Sequence, residues 1–373
     1  MILNAFLSVL TFVADVALAI AILSRGGELE TYGLMVLACA LLNVLSQMVL
    51  FVVMNFNLLA DASWLARVRL LLPVVFWFKP ITDTLLVLKQ RVGLTESGVW
   101  VLGFNRINQI FFQGIPARIV IMYMLLKEAS VGSLVNACIT TLLISSVATA
   151  SLSSSVNYEL DCSPRTRRED KQFANYIPLE TTRRLYLFLV MFFHALFHST
   201  LRCLSCALLL HSGLPLFFIV SGADIFLSVV IKALQGDIDF GAHVAGVFGV
   251  SVLVRVAMKV LTDHSRMVEF HHPRAMGGLL WTLNDFLTVP FAFLCLVLSH
   301  SSSSSGVPHS DVVLPLLIAS SAGWALCSGL FFSLLAKDKV REIMRVRVRS
   351  QLELPANTVL TPLSLSRRRS RSS

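Results

Sequence analysis

The residues able to do chemistry in this chain are charged and imidazole groups set inside apolar runs. Asp15, Arg106, Gln113, Arg118, His194, His198, Arg202, Asp224, Arg255, Lys259 and Asp285 all lie within or at the edges of such runs. A guanidinium or carboxylate held in hydrocarbon is costly, so these groups are expected to face protein or a water-filled cavity. Two roles fit that placement. Alternating positive and negative side chains can form a polar stairway along which a zwitterionic headgroup passes while its tails stay in lipid. The same residues can instead be ion pairs that fix helix packing, and Lys259 can snorkel. His194 and His198 are four residues apart and share a helix face, which Arg202 extends by the same step. An HxxxH pair can ligate a metal, but no third ligand is evident nearby, so a polar interhelical seam is expected and no metal.

Other chemistry finds little support. His271-His272-Pro273-Arg274 has no general-base or triad partner. No P-loop, GxSxG, HExxH or dinucleotide fingerprint occurs, so neither an enzyme nor a cofactor is implied. Of the seven cysteines all but Cys162 lie inside apolar runs, which fits buried thiols better than disulfides. Cys203-x-x-Cys206 has no second CxxC and is expected to be packing.

The elements that must carry these residues follow from composition. The chain of 373 residues is 55% hydrophobic and 14% charged, with mean hydropathy +0.75. Soluble domains are about a quarter charged, and an apolar run of about 20 residues crosses a bilayer core. The expected fold is all-α: a polytopic helical membrane protein of about eight transmembrane spans plus two partial, re-entrant or interfacial helices.

The runs are Ile2–Leu23, Gly33–Leu59, Val99–Leu126, Val131–Val156, Leu185–Leu210, Leu214–Leu234, Gly278–Ser299 and Val312–Ala336. The first lacks a basic n-region and is too long for a signal-peptide core, so it reads as a retained span with Asp15 inside the protein. Asn43, Gln47 and Asn55 interrupt the second. Asp61–Arg91 and Phe240–Leu261 are broken by charges or glycines and are the partial helices, with Leu214–Leu234 as the alternative to the latter.

The stretch Asn105–Asp161 is expected to form the centre. Its first run carries Arg106, Gln109, Gln113 and Arg118 around Gly114-Ile115-Pro116, and its second is built of Ser, Thr, Ala and Gly, the composition of close helix packing in lipid. Arg106 and Arg118 are twelve residues apart, which places them about 120° apart on a straight helix. A bend at Pro116 would bring them closer. Asp15 and Asp285 are the candidate counter-charges.

Four regions result: an N-terminal helical repeat over 1–156, a polar loop over 157–184, a C-terminal helical repeat over 185–336 and a basic tail over 337–373. Two halves with interrupted segments in corresponding places point to a substrate path between them. The tail holds ten Lys/Arg against three acids. Its Arg341, Arg345, Arg347, Arg349, Arg367, Arg368, Arg369 and Arg371 are expected to bind anionic inner-leaflet lipids, not nucleic acid. The basic bias of the tail, the 157–184 loop and the 263–277 loop places all three and both termini in the cytosol, with Ser301–Ser305 outside. The membrane is the plasma membrane or an endomembrane.

Four stretches carry a resemblance. TFVADVALAIAIL, RVRLLLPVVFWFKP, NQIFFQGIPARIVIMYMLL and SLVNACITTLLISSVATASLSSSVNY follow, in order, the acidic first span, the partial helix, the Pro-containing run and the Ser-rich span of the XK-related family. The chain resembles that family over roughly its first 210 residues. Several members are phospholipid scramblases, so the resemblance implies lipid movement between leaflets. Gln113 stands where the family usually has a Glu before the Pro, and Pro116-Ala117-Arg118 replaces its PQ step. The loop DCSPRTRRED…FANYIP also resembles loops of multi-pass proteins of protists. Three functions stay open: a scramblase-like lipid mover, an ion or solute transporter using the same interior charges, and an accessory membrane subunit whose charges only pack. Membrane lipids are the expected partners, with an accessory subunit as a further one.

Overall fold

The computed structural model describes residues 2–54, 105–127, 134–162, 181–234, 287–302 and 310–335, with single positions at 64, 103 and 132. Among these all regular structure is helical. The helices are α1 (Ile2–Leu23), α2 (Glu30–Met54), α3 (Ile115–Lys127), α4 (Val135–Cys162), α5 (Thr181–Ser212), α6 (Leu214–Leu234), α7 (Thr288–Ser302) and α8 (Ser310–Leu335). Residues 105–109 are helical too, and a π-turn over Ile110–Gly114 joins them to α3. Asp61–Arg91 apart from Trp64, Phe240–Leu261, Arg255, Lys259, Asp285, His271-His272-Pro273-Arg274, Ser303–Ser305, the basic tail and residues 163–180 and 263–277 lie outside the described residues. The expected 157–184 loop is shorter than its polar composition suggests, because 157–162 continue α4 and 181–184 begin α5. Ser301 and Ser302 end α7 instead of belonging to a linker.

Among the described residues six helices are long and apolar enough to cross a membrane: Leu3–Leu23, Gly27–Val49, Asn105–Lys127, Val135–Val156, Thr182–Ser212 and Val312–Leu334. Leu214–Leu227 and Thr288–Ser301 are shorter apolar helices. The burial pattern agrees with a lipid surround. Leu3, Phe6, Val13 and Ile20 of α1 are exposed, while Asn4, Ser8, Thr11 and Asp15 of the same helix are buried. In water that arrangement would expose the wrong face; in lipid the apolar face meets hydrocarbon and the polar face meets protein. The chain is a multi-pass helical membrane protein.

The buried positions of α1 recur at Asn4, Ser8, Thr11, Asp15, Leu18 and Ile22, alternating steps of four and three that keep one face turned inward. The stripe is polar in its first half and apolar in its second. Gly26 and Gly27, at φ 65 and 66, take the left-handed conformation that turns the chain within a few residues into α2. The apolar end of α1 therefore lies beside the start of α2. Leu18, Ala19 and Ile22 pack there with Tyr32, Val36 and Cys39, and with Ala117, Ile121 and Met124 of α3. The bundle of α1–α4 thus has one apolar end and one polar end.

The Asn105–Asp161 hairpin shares the centre with α5, which touches α3, α4, α6, α7 and α8. At 32 residues α5 is about 48 Å long, well over the hydrocarbon thickness of about 30 Å. Its buried face supplies Leu201, Leu204 and Leu208 to a core completed by Ile115 and Met122 of α3, Cys295 of α7 and Leu317 and Trp324 of α8. Cys39, Cys138, Cys203, Cys206, Cys295 and Cys327 are free thiols, and all of these but Cys206 are buried.

Candidate functional site

Among the described residues, buried polar side chains gather at three places, and each follows from local sequence. The first is the polar end of the α1–α4 bundle. Pro116 lacks an N–H and its ring crowds the preceding turn, so an unbroken α-helix is not available there. The chain answers with the π-turn, in which the Ile115 N–H reaches back to the Ile110 carbonyl. One extra residue is taken up, which shifts the register by about 100°. The separation of Arg106 and Arg118 falls from about 120° to about 20°, so the wide turn aligns them where a proline bend was expected. Gly114 ends the turn against α4; a Cβ there would lie 2.8 Å from Thr149 Oγ1.

The π-turn aims Gln109 and Gln113 into the bundle. Gln113 Nε2 donates to Asp15 Oδ2 at 2.7 Å. Gln113 Oε1 accepts from Asn43 Nδ2 at 2.7 Å, and Asn43 Oδ1 accepts from Gln47 Nε2 at 3.3 Å. Gln47 Nε2 also reaches the Asn105 carbonyl at 3.2 Å. Every amide in this relay donates toward Asp15, so Gln47, Asn43 and Gln113 all orient their dipoles to favour negative charge there. Gln109 pairs twice with Ser8, accepting from its hydroxyl and donating to its carbonyl. Asn4 is held by Ser151 and Ser155 of α4, at 2.7 and 2.6 Å. The relay is sealed: Asp15, Asn43 and Gln113 are wholly buried.

The second place is the seam between α3, α5 and α8. Arg118 is wholly buried and donates to Ser199 Oγ at 3.1 Å and Thr200 Oγ1 at 3.3 Å. Its hydrogen bonds therefore go to hydroxyls, and Asp15, one of its two expected counter-charges, is held by Gln113 instead. His194 and His198 stack with ring centroids 6.4 Å apart. His194 Nε2 lies 3.0 Å from Ser328 Oγ, and its ring lies 5.8 Å from that of Trp324. The spacing in the sequence does bring both imidazoles to one face. Among the described residues no group of three or more His, Cys, Asp or Glu is placed to hold a metal ion.

The third place is open. Arg202, one step beyond His198 on α5, pairs with Asp224 of α6 at 2.6 Å. The guanidinium lies over the Phe291 ring of α7, 5.9 Å from its centre. The side chains stay 13% and 22% exposed at the edge of a cavity of about 470 Å³ between α5, α6 and α7. The walls are apolar, and Thr288 at the start of α7 lines them as well.

Asp15, Arg106, Gln113, Arg118, His194 and His198 are thus inside the protein, and Arg202 and Asp224 stand at its edge. Asn4, Ser8, Ser328, Thr288 and Phe291 are the participants that run analysis passes over. The four-three spacing of Asn4, Ser8, Thr11 and Asp15 is a readable signal for the first two. The others carry none, being ordinary residues of apolar helices. No protein-family model matches the chain, and no curated protein is similar to it.

Proposed function

We propose that the protein moves phospholipids between leaflets, with their headgroups passing along polar side chains of α5 and its neighbours. The observation that carries this is the Arg202–Asp224 pair. It is a two-signed site, part-exposed and set in an apolar-walled cavity. A headgroup that meets opposite charges on the way keeps much of the interaction it loses with water. His198 and His194 continue the polar face along α5 from that point, and Arg118 of α3 joins it at Ser199 and Thr200. The resemblance to the XK-related family leads in the same direction.

Reconstitution in liposomes with a fluorescent phospholipid is the test. Wild type is expected to make inner-leaflet lipid accessible without an energy source. The double variant Arg202→Leu/Asp224→Leu, which removes both charges together, is expected to slow this at least tenfold at equal protein content. Unchanged movement in the double variant would overturn the proposal.

The buried Asp15 carboxylate carries a second function, a gradient-coupled ion or solute transporter in which the relay opens and Asp15 is the exchanging carboxylate. That function requires flux that follows an imposed gradient and stops in Asp15→Asn, with lipid movement absent. On either function both termini are placed in the cytosol, which labelling of Ser303→Cys but not Ser370→Cys from outside intact cells would bear out.

A further inference from the structure

We infer that the cavity between α5, α6 and α7 is a binding site for a zwitterionic phospholipid, with its phosphate at Arg202 and Thr288 and its ammonium at Asp224. The inference rests on the lipid-moving function proposed above and names the ligand of that site. Two donors define the phosphate end. Arg202 Nη1 is occupied by Asp224, but its Nε is buried with no hydrogen-bond partner. Thr288 is 1% exposed, lines the cavity, and its Oγ1 has no partner either. Buried polar groups are almost always answered, and of the unanswered ones these two belong to residues that line one cavity, which calls for a ligand acceptor there. Thr288 also opens α7. The helix dipole adds positive potential at that end, although in this first turn Pro290 has no N–H and the Phe291 N–H donates to the Leu287 carbonyl at 3.0 Å.

The second charge decides the class. Asp224 lies against the same guanidinium at 2.6 Å. A purely anionic headgroup would bring its charge up to that carboxylate, and a purely cationic one would meet Arg202 first. A phosphodiester carrying an ammonium satisfies both, with the Arg202–Asp224 bond kept. A volume of about 470 Å³ is of the size that takes a small ligand. The source is the bilayer, because Ile219, Leu227 and Leu294 on the same walls are exposed apolar side chains of the short apolar helices α6 and α7. An acyl chain can follow them out of the cavity.

Retention of added lipid by the full-length detergent-purified protein, read by native mass spectrometry, tests this apart from transport. The probes are phosphatidylcholine, phosphatidylethanolamine, phosphatidylglycerol and soluble glycerophosphocholine. The two zwitterionic lipids are expected to be retained about tenfold over phosphatidylglycerol, and glycerophosphocholine not at all. Thr288→Val, which keeps shape and removes the hydroxyl, is expected to lower retention severalfold. Asp224→Asn is expected to reverse the preference toward phosphatidylglycerol, which a merely structural aspartate would not do. Equal retention of all three lipids, or full retention and unchanged preference in both variants, overturns the site. Tight binding of glycerophosphocholine overturns the bilayer as its source. Selective retention without lipid movement in liposomes keeps the site and removes the transport function; movement with no selectivity does the reverse.

Discussion

The α1–α4 bundle and the α5–α8 group bury polar side chains at similar depth but complete them differently. In the first, amides and hydroxyls answer one another across helices, and the single carboxylate at Asp15 is approached by a line of oriented amide donors. In the second, two imidazoles and an ion pair stand along α5, where Arg118 of α3 also reaches, and the series ends at a cavity with Arg202 Nε and Thr288 Oγ1 unanswered. The bundle has unanswered atoms too, Asp15 Oδ1 and Gln47 Oε1, but they are shut inside a network that fixes helix positions and has little left to offer a ligand. A charged series with unanswered donors at its exposed end is incomplete without one. The bundle is accordingly the scaffold, and the α5–α7 face is where chemistry with an outside molecule is expected.

The sharpest way to break that division is to open the relay. Gln113→Leu removes two interhelical hydrogen bonds and leaves the Asp15 carboxylate and the Asn43 amide unanswered. Interhelical bonds in membranes contribute about 0.6–1.7 kcal/mol each, and an orphaned buried charge costs more than an orphaned neutral group. A loss of about 3 kcal/mol is expected in reversible denaturation from mixed micelles. Adding Asp15→Leu should recover more than half of it, since an apolar pair needs no partner. A loss below about 0.5 kcal/mol would mean the relay holds nothing together, and Asp15 would then be free for exchange.

Much of this scaffold is legible in the sequence, and the limits are physical. The described helices fall on apolar runs, and length and hydropathy alone make six of them able to cross a bilayer. Burial of Asp15 and Arg118 follows from the cost of charge in hydrocarbon, whatever the fold. Which partner each receives does not follow, since that depends on helix rotation. Asp15 goes to Gln113 rather than to an arginine because the π-turn shifts the register after Gln109. Nothing in a hydropathy pattern marks a five-residue turn of that kind except the Gly114-Ile115-Pro116 step. The central position of α5 is equally hidden, because its neighbours α7 and α8 come from distant parts of the chain.

A smaller effect is expected where the π-turn meets α4. In Gly114→Ala the added Cβ would lie 2.8 Å from Thr149 Oγ1, and the next atom, the Gln109 carbonyl oxygen, lies at 3.7 Å. Thr149 must give way in a serine-rich, closely packed helix, which costs about 1–3 kcal/mol. Gly114→Ala/Thr149→Ala removes the opposing oxygen and should regain most of the loss. The double variant also sharpens the division between the regions. Gln113 adjoins the altered residue, so a regained stability with normal lipid retention shows that the bundle supports the α5–α7 face without taking part in it. Regained stability with lost retention would make the π-turn part of the site.

The smallest effect concerns the seam where the two regions meet the charged series. Ser328→Ala removes the hydroxyl that lies 3.0 Å from His194 Nε2. If that bond held α8 to α5, its loss would be felt at both. Packing between these helices is extensive without it. Phe331 is wholly buried, Trp324 lies beside His194, and Gly323 lets Phe197 come so close that a Cβ there would lie 2.5 Å from the ring. Ser328→Ala is therefore expected to cost only about 0.6 kcal/mol, the average of such bonds in membrane helices. Gly323→Ala, which pushes Phe197 aside, is expected to cost about 1–3 kcal/mol at the same seam. That order makes the seam a packed joint carrying a polar face. The reverse order would place the histidines among the groups that hold the protein together, leaving the Arg202–Asp224 cavity as the whole of the polar surface offered to a ligand.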